Sequence, residues 1–184
     1  MEITPFLLPD VAAWRAWLDA NEMTSDGVWL VLAKKGTTTP TALTYDQALD
    51  EALCSGWIDG QVRSRDAATY LQRFTPRRAR SMWSQRNVGI VGGLIEAGRM
   101  RERGFAEIER AQADGRWDRA YPGAASAELP EDLVAALGAE PGASDRWAAL
   151  PAAERFPLML AVFTAATPAT RARRVAAAVK RVAQ

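Results

Sequence analysis

The sequence predicts an α+β fold: a small antiparallel sheet of about three strands packed with helices, plus a helical C-terminal subdomain. Three observations predict it. Strand-like runs occur only before Pro76, and helical periodicity dominates from Ser84 to the end. No strand leads into a GxGxxG or Walker-type phosphate loop, which argues against a conventional nucleotide-binding fold.

The elements follow in order. Asp10 precedes VAAWRAWL, where Val11, Trp14 and Leu18 recur at helical spacing, so a first helix capped by Asp10 should end near Asn21. VWLVLAKK, residues 28–35, is β-branched and aromatic between Gly27 and Gly36 and reads as a buried strand. Thr44-Tyr45-Asp46-Gln47 has the spacing of a capping box for a helix to about Ser55, stopped by Gly56. Trp57-Ile58-Asp59 reads as a short strand entering a turn at Gly60. Residues 68–75 form a third strand, closed by Pro76. Ser84 should cap a helix to about Ala97, and another covers 104–114 up to Gly115. A loop rich in Pro, Gly and Ala at 121–130 divides a single domain, 1–184, into an α+β core, 1–120, and a helical subdomain, 121–184. Short helices near 131–137 and 145–149 come next, then helices opened by Pro151 and by Thr167-Pro168.

Composition narrows the chemistry. The 184 residues are 48% apolar and 24% charged, ordinary for a globular protein. There is no histidine, which removes Ser–His–Asp and Cys–His nucleophile activation and any His-ligated metal. The single Cys54 removes an intrachain disulfide and any thiolate cluster. Neither a metal nor a cofactor is expected. No apolar run approaches the roughly 20 residues of a membrane span. The N-terminal stretch, acidic at Glu2, lacks the basic n-region of a signal peptide, so the expected location is cytoplasmic. The net charge of +1 is unevenly spread: residues 107–154 hold ten acids and four bases, whereas 155–184 hold six bases and no acid. The two blocks either solvate their own helices and face each other or form a polyanion-binding surface.

Four constellations bear on function. The stretch YLQRFTPRRARSMWSQRN, Tyr70 to Asn87, sets five arginines among Tyr70, Phe74 and Trp83 within an acid-free run from Ala67 to Ile95. Guanidinium forks match carboxylate and phosphate groups, and flat aromatic faces suit sugars, so this stretch suits a small anionic or carbohydrate-like ligand; alternatively, its arginines pair with Asp59, Asp66 or other acids. In Cys54-Ser55-Gly56-Trp57-Ile58-Asp59-Gly60, Trp57 and Asp59 share a strand face, offering a platform and a carboxylate, unless Asp59 only shapes the turn. Cys54 there reads as a small buried hydrophobe, since a helix C-terminus disfavours a thiolate. Lys34-Lys35, after the first strand, is either a lowered-pKa base or a solvated strand end. Thr170-Arg171-Ala172-Arg173-Arg174, with Lys180 and Arg181, forms a basic helix for a protein or nucleic-acid partner or for the helix dipole; a recognition-helix pattern is lacking, which argues against nucleic acid.

LTYDQALDEALCSGWIDGQ, from Leu43 to Gln61, followed by YLQRFTPRRARSMWSQRNV, resembles the core of the YdeI/OmpD-associated, or bacteriocin-protection, family. The segments Leu129 to Leu133, Leu150-Pro151 and Thr167 to Arg174 resemble its helical C-terminal region. The resemblance implies a role in tolerating antibacterial peptides or proteins and supplies no catalytic set. Two positions depart from the family pattern: Ser55, where a bulkier aromatic is common, and Ala165-Ala166, where a lysine is expected.

The reading that combines these features is a non-catalytic protein binding a small anionic or carbohydrate-like ligand. Its pocket is built from Trp57, Asp59, Arg73, Arg77, Arg78 and Trp83. One alternative is a hydrolase or transferase using Asp59 as general base. Another is an interaction module using the basic C-terminal helix.

Overall fold

The computed structural model describes residues 4–183; the acidic start at Glu2 lies outside them. In chain order the elements are β1 (Pro5–Phe6), α1 (Val11–Asn21), β2 (Val28–Ala33), α2 (Tyr45–Cys54), β3 (Trp57–Ser64), β4 (Thr69–Pro76), α3 (Gln85–Glu96), α4 (Glu102–Ala113), α5 (Glu131–Ala139), α6 (Ala143–Ala149), α7 (Ala152–Phe163) and α8 (Pro168–Ala183). They fall into two compact units. One comprises residues up to Ser81 with Gly89–Ala113; the other comprises Met82–Val88 with the chain from Asp114 onward. The α+β class predicted from sequence is the observed one.

The first unit is built on a sheet of order β1-β2-β4-β3. Three strands form the expected antiparallel set, and the two-residue β1 adds a parallel edge beside β2. Two helix starts were legible locally. Ala13 N–H donates to Asp10 Oδ1 at 2.9 Å, and Thr44 and Gln47 close the capping box of α2. Gly56, at φ +69°, ends α2 in the left-handed region that a side chain would strain. The core between helices and sheet is aromatic. The Trp14 indole donates to Ala48 O at 3.1 Å, its ring stacks on Trp17 at 5.3 Å, and it meets Phe74 at 5.8 Å.

One strand prediction needs correcting. Gly60 does not turn the chain; β3 continues for eight residues to Ser64, with a bulge between Asp59 and Val62. The buried Gln72 amide donates to Gly60 O at 2.9 Å and so satisfies a carbonyl at the irregularity. The hairpin turns instead at Asp66, whose carboxylate accepts from Ala68 N, Thr69 N and Thr69 Oγ1 at 2.7–2.9 Å. Asp66 does the work that the sequence reading gave to Asp59, because its side chain reaches backbone donors two and three residues on. Lys34 Nζ donates to Asp66 O at 2.6 Å, so this lysine ties the strand end to the turn.

A buried ion network joins α2 to the α3–α4 connection. Glu51, 4% exposed, accepts from Arg99 at 2.8 Å and from Arg101 at 2.7 Å. Arg101 also reaches Ser55 Oγ at 2.6 Å and Asp19 at 3.0 Å, and Arg99 reaches Asp50 at 3.1 Å. Beside it, α4 approaches closely through Gly104, where a Cβ would stand 2.3 Å from Cys54 O. Burial, reinforced by Glu51, pushes the Cys54 thiol up to about 11, so this cysteine is inert packing, as its place at a helix end suggests.

In the second unit, α5–α8 pack around Leu133, Leu137, Trp147, Met159, Val162 and Val175. Asp132 on α5 accepts two bonds from Arg171 on α8, at 2.6 and 2.8 Å. That guanidinium holds the Asp132 carboxyl below its usual range, a folded-state depression whose stabilisation is present above the unfolded pKa and lost as pH falls through the folded one. Asp132→Asn should therefore cost on the order of 0.5 kcal/mol near neutrality, a small value because both side chains are partly exposed. The gap between the two melting temperatures should narrow as pH falls below the ordinary carboxylate range; a gap that stays constant down to acid pH would contradict this linkage. Among the described residues, no helix is long and apolar enough to cross a membrane.

Candidate functional site

Of the six predicted site residues, five lie in the first unit and Trp83 in the second. Trp57 is fully buried: its indole donates to Glu22 O at 3.3 Å and its ring meets Trp17 edge-on at 5.8 Å. It is core, not a stacking platform. Asp59, half-buried, accepts the Tyr45 hydroxyl at 2.9 Å and lies directly opposite Phe74. Arg73 is the next residue along β4 from Phe74 and lies opposite Trp29 of β2. Side chains alternate along a strand, so Asp59 and Arg73 occupy opposite faces of the sheet. A base at Asp59 therefore has no help from Arg73.

Arg77 is buried, and its backbone N–H donates to Gly56 O at 3.1 Å, pinning the chain after β4 beside the end of α2. Arg78 is exposed in the following loop, where its N–H donates to Ser81 Oγ at 3.0 Å. Trp83 belongs to the second unit, 1% exposed, with its ring 4.9 Å from that of Trp117. Around it, Tyr121 N donates to Trp83 O at 3.0 Å and Gln85 N to Tyr121 O at 2.9 Å. Ser84 caps α3 as predicted, accepting from Asn87 N at 3.2 Å.

What the sequence reading missed is the other face of the sheet. The Arg63 guanidinium carbon lies 5.3 Å from the Trp29 ring centroid, a cation–π distance, and Arg73 is the direct cross-strand neighbour of Trp29. Arg63 pairs with Leu71, two residues from Arg73, so both arginines share this face with Trp29. Among the described residues neither arginine forms an ion pair, and Arg73 makes a long bond, 3.4 Å, to Asp26 O. The strand residues paired in this face, Ile58, Thr75, Leu71 and Val31, include no acid.

The bulge creates this separation of charge. Asp59 and Arg63 are four apart, which in a regular strand puts them on one face. The extra residue between Asp59 and Val62 reverses the alternation, leaving the carboxylate on one side and the guanidinium on the other. No signal in the sequence other than Gly60 marks the reversal.

The α5–α8 bundle, in residues 126–184, matches the family described as bacteriocin-protection, YdeI or OmpD-associated. Residues 6–107, more than half of the chain, match a domain of unknown function, DUF8412. The chain belongs to the DUF8412 family, and its C-terminal third is similar to the YdeI/OmpD-associated family. The motif-bearing stretch from Leu43 to Asn87 falls under the DUF8412 match, so the resemblance seen from Leu43 to Arg174 divides between two family descriptions. No curated protein and no solved structure matches the chain.

The basic helix α8 of the YdeI/OmpD-associated bundle spends its charge internally. Besides the Arg171–Asp132 pair, Arg174 donates to Ala161 O at 2.5 Å and Thr164 Oγ1 at 3.2 Å, closing the end of α7. Arg181 pairs with Glu154 at 2.9 Å. Three of the six bases in residues 155–184 thus serve intrachain bonds, which leaves a thinner polycationic surface than the sequence suggested. Among the described residues no cluster of acids and Cys54 could hold a metal ion.

Proposed function

We propose that this protein is a non-catalytic binder of a small anionic ligand, taken on the sheet face of Trp29, Arg63 and Arg73. The supporting observation is a pair of guanidinium groups beside one indole, on a face whose paired strand residues carry no carboxylate. Two forks with no carboxylate partner among the described residues suit the oxygens of a phosphate, sulfate or carboxylate, and the half-buried Trp29 ring suits the flat or apolar side of a sugar-like scaffold. Of the residues proposed from sequence, Arg73 is carried into this site. Protection against bacteriocins would then act through the bound ligand rather than through turnover.

The test is a thermal-shift panel of inorganic phosphate, sulfate, phosphorylated sugars and small carboxylates, followed by calorimetry on whichever raises the melting temperature. Arg63→Ala with Arg73→Ala should weaken binding about tenfold or more, the loss of charge-assisted hydrogen bonds. Arg77→Ala is a poor probe, because that arginine is buried. Unchanged affinity in the double variant, or no response to any anion, sinks the proposal.

A further inference from the structure

The second unit holds a cleft of about 330 Å³ assembled from four segments. Gln85 contributes from the start of α3 and Arg119 from the segment after α4. Pro122, Ser126 and Glu128 come from the loop before α5, and Phe163 ends α7. Its volume lies at the small end of the range for ligand clefts, roughly 300–1,000 Å³.

The charges in this lining make the cleft unusual. Arg119 and Glu128 share it, yet among the described residues neither forms an ion pair. The nearby acid, Asp114, has both carboxylate oxygens engaged by Arg116 Nε at 2.7 and 2.8 Å; the Arg119 charge also acts on that carboxylate, but the hydrogen bond Arg119 makes to this residue is from Nη2 to the backbone carbonyl, at 3.2 Å. Arg119 Nε is buried without a hydrogen-bond partner. Glu128 is exposed, and its side chain makes no hydrogen bond among the described residues. Opposite charges that occupy one small cleft without meeting leave room for a molecule that brings its own pair of opposite charges.

We infer that this cleft takes a small zwitterion of the α-amino acid class. The ligand carboxylate sets against Arg119, its ammonium against Glu128, and its side chain against Phe163 and Pro122, while Gln85 and Ser126 supply neutral hydrogen bonds. A bare anion meets repulsion from Glu128, and a bare cation from Arg119. Only a ligand carrying both charges neutralises the site.

The experiment is calorimetry and thermal shift on the full chain with free L-alanine, L-serine and L-leucine, together with their N-acetyl and carboxamide derivatives. At least one free amino acid should bind in the millimolar range, and blocking either end should abolish it. Arg119→Gln should remove binding, as should Glu128→Gln. If Arg119→Gln fails to fold, Glu128→Gln still decides, since the exposed carboxylate supports nothing internally. Binding that survives blocked termini, persists in Glu128→Gln, or is absent for every free amino acid overturns the inference. The Trp29 face is tested by different residues and different probes, so failure of either site leaves the other standing.

Discussion

Glu51→Ala should destabilise the protein by about 3–5 kcal/mol, the cost of breaking a buried ion pair and leaving its partners uncompensated. Glu51 is 4% exposed and holds two guanidinium groups, so its loss strands the buried part of Arg101 against the end of α2. Arg101→Ala should cost a similar amount, because it leaves Glu51 with half its partners and removes the bond to Ser55 Oγ. Arg99→Ala should cost less: the Arg99 side chain is 36% exposed, and water replaces much of what it gives. Urea denaturation of the three variants checks the order, and a double-mutant cycle between Glu51 and Arg101 should return a large coupling term. Equal small losses in all three would mean the network is solvated in solution. Replacing Glu51 and Arg101 together with apolar residues of similar volume should recover much of the stability, since desolvation of the charges disappears with them.

The second large effect is expected at Trp83. Trp83→Ala removes a ring that is 1% exposed and in edge contact with Trp117, and such truncations cost about 3–5 kcal/mol. The loss should also loosen the bonds by which Met82–Val88 and the segment around Tyr121 hold one another. Hydrogen exchange should therefore rise first in residues 82–88 and 114–121, while the β2 and β4 amides keep their protection. An anion-binding defect with wild-type stability would overturn the structural role and restore Trp83 to a ligand site.

Both residues bear on how far the fold was legible. Trp83 was singled out from sequence, but for the wrong reason: an aromatic among arginines looks like a platform until its neighbour Trp117, 34 positions later, is known. Glu51, Arg99 and Arg101 drew no attention, because about 50 residues separate the partners and each alone reads as a solvated charge. Helix starts were readable in detail, as at Asp10 and in the Thr44–Gln47 box. There the donor and acceptor lie within three residues, and local geometry alone closes the bond.

What the sequence determined by itself is the class of fold, the helix caps, the inert Cys54, and the exclusion of histidine chemistry; all rest on composition or on contacts within a few residues. The tertiary structure alone decided which charges meet. Asp59 was separated from Arg63 by one extra residue in β3, and that residue counts as extra only when β3 is paired with β4. Strand pairing is a property of two distant segments, so the face on which each side chain lies could not be read from either one.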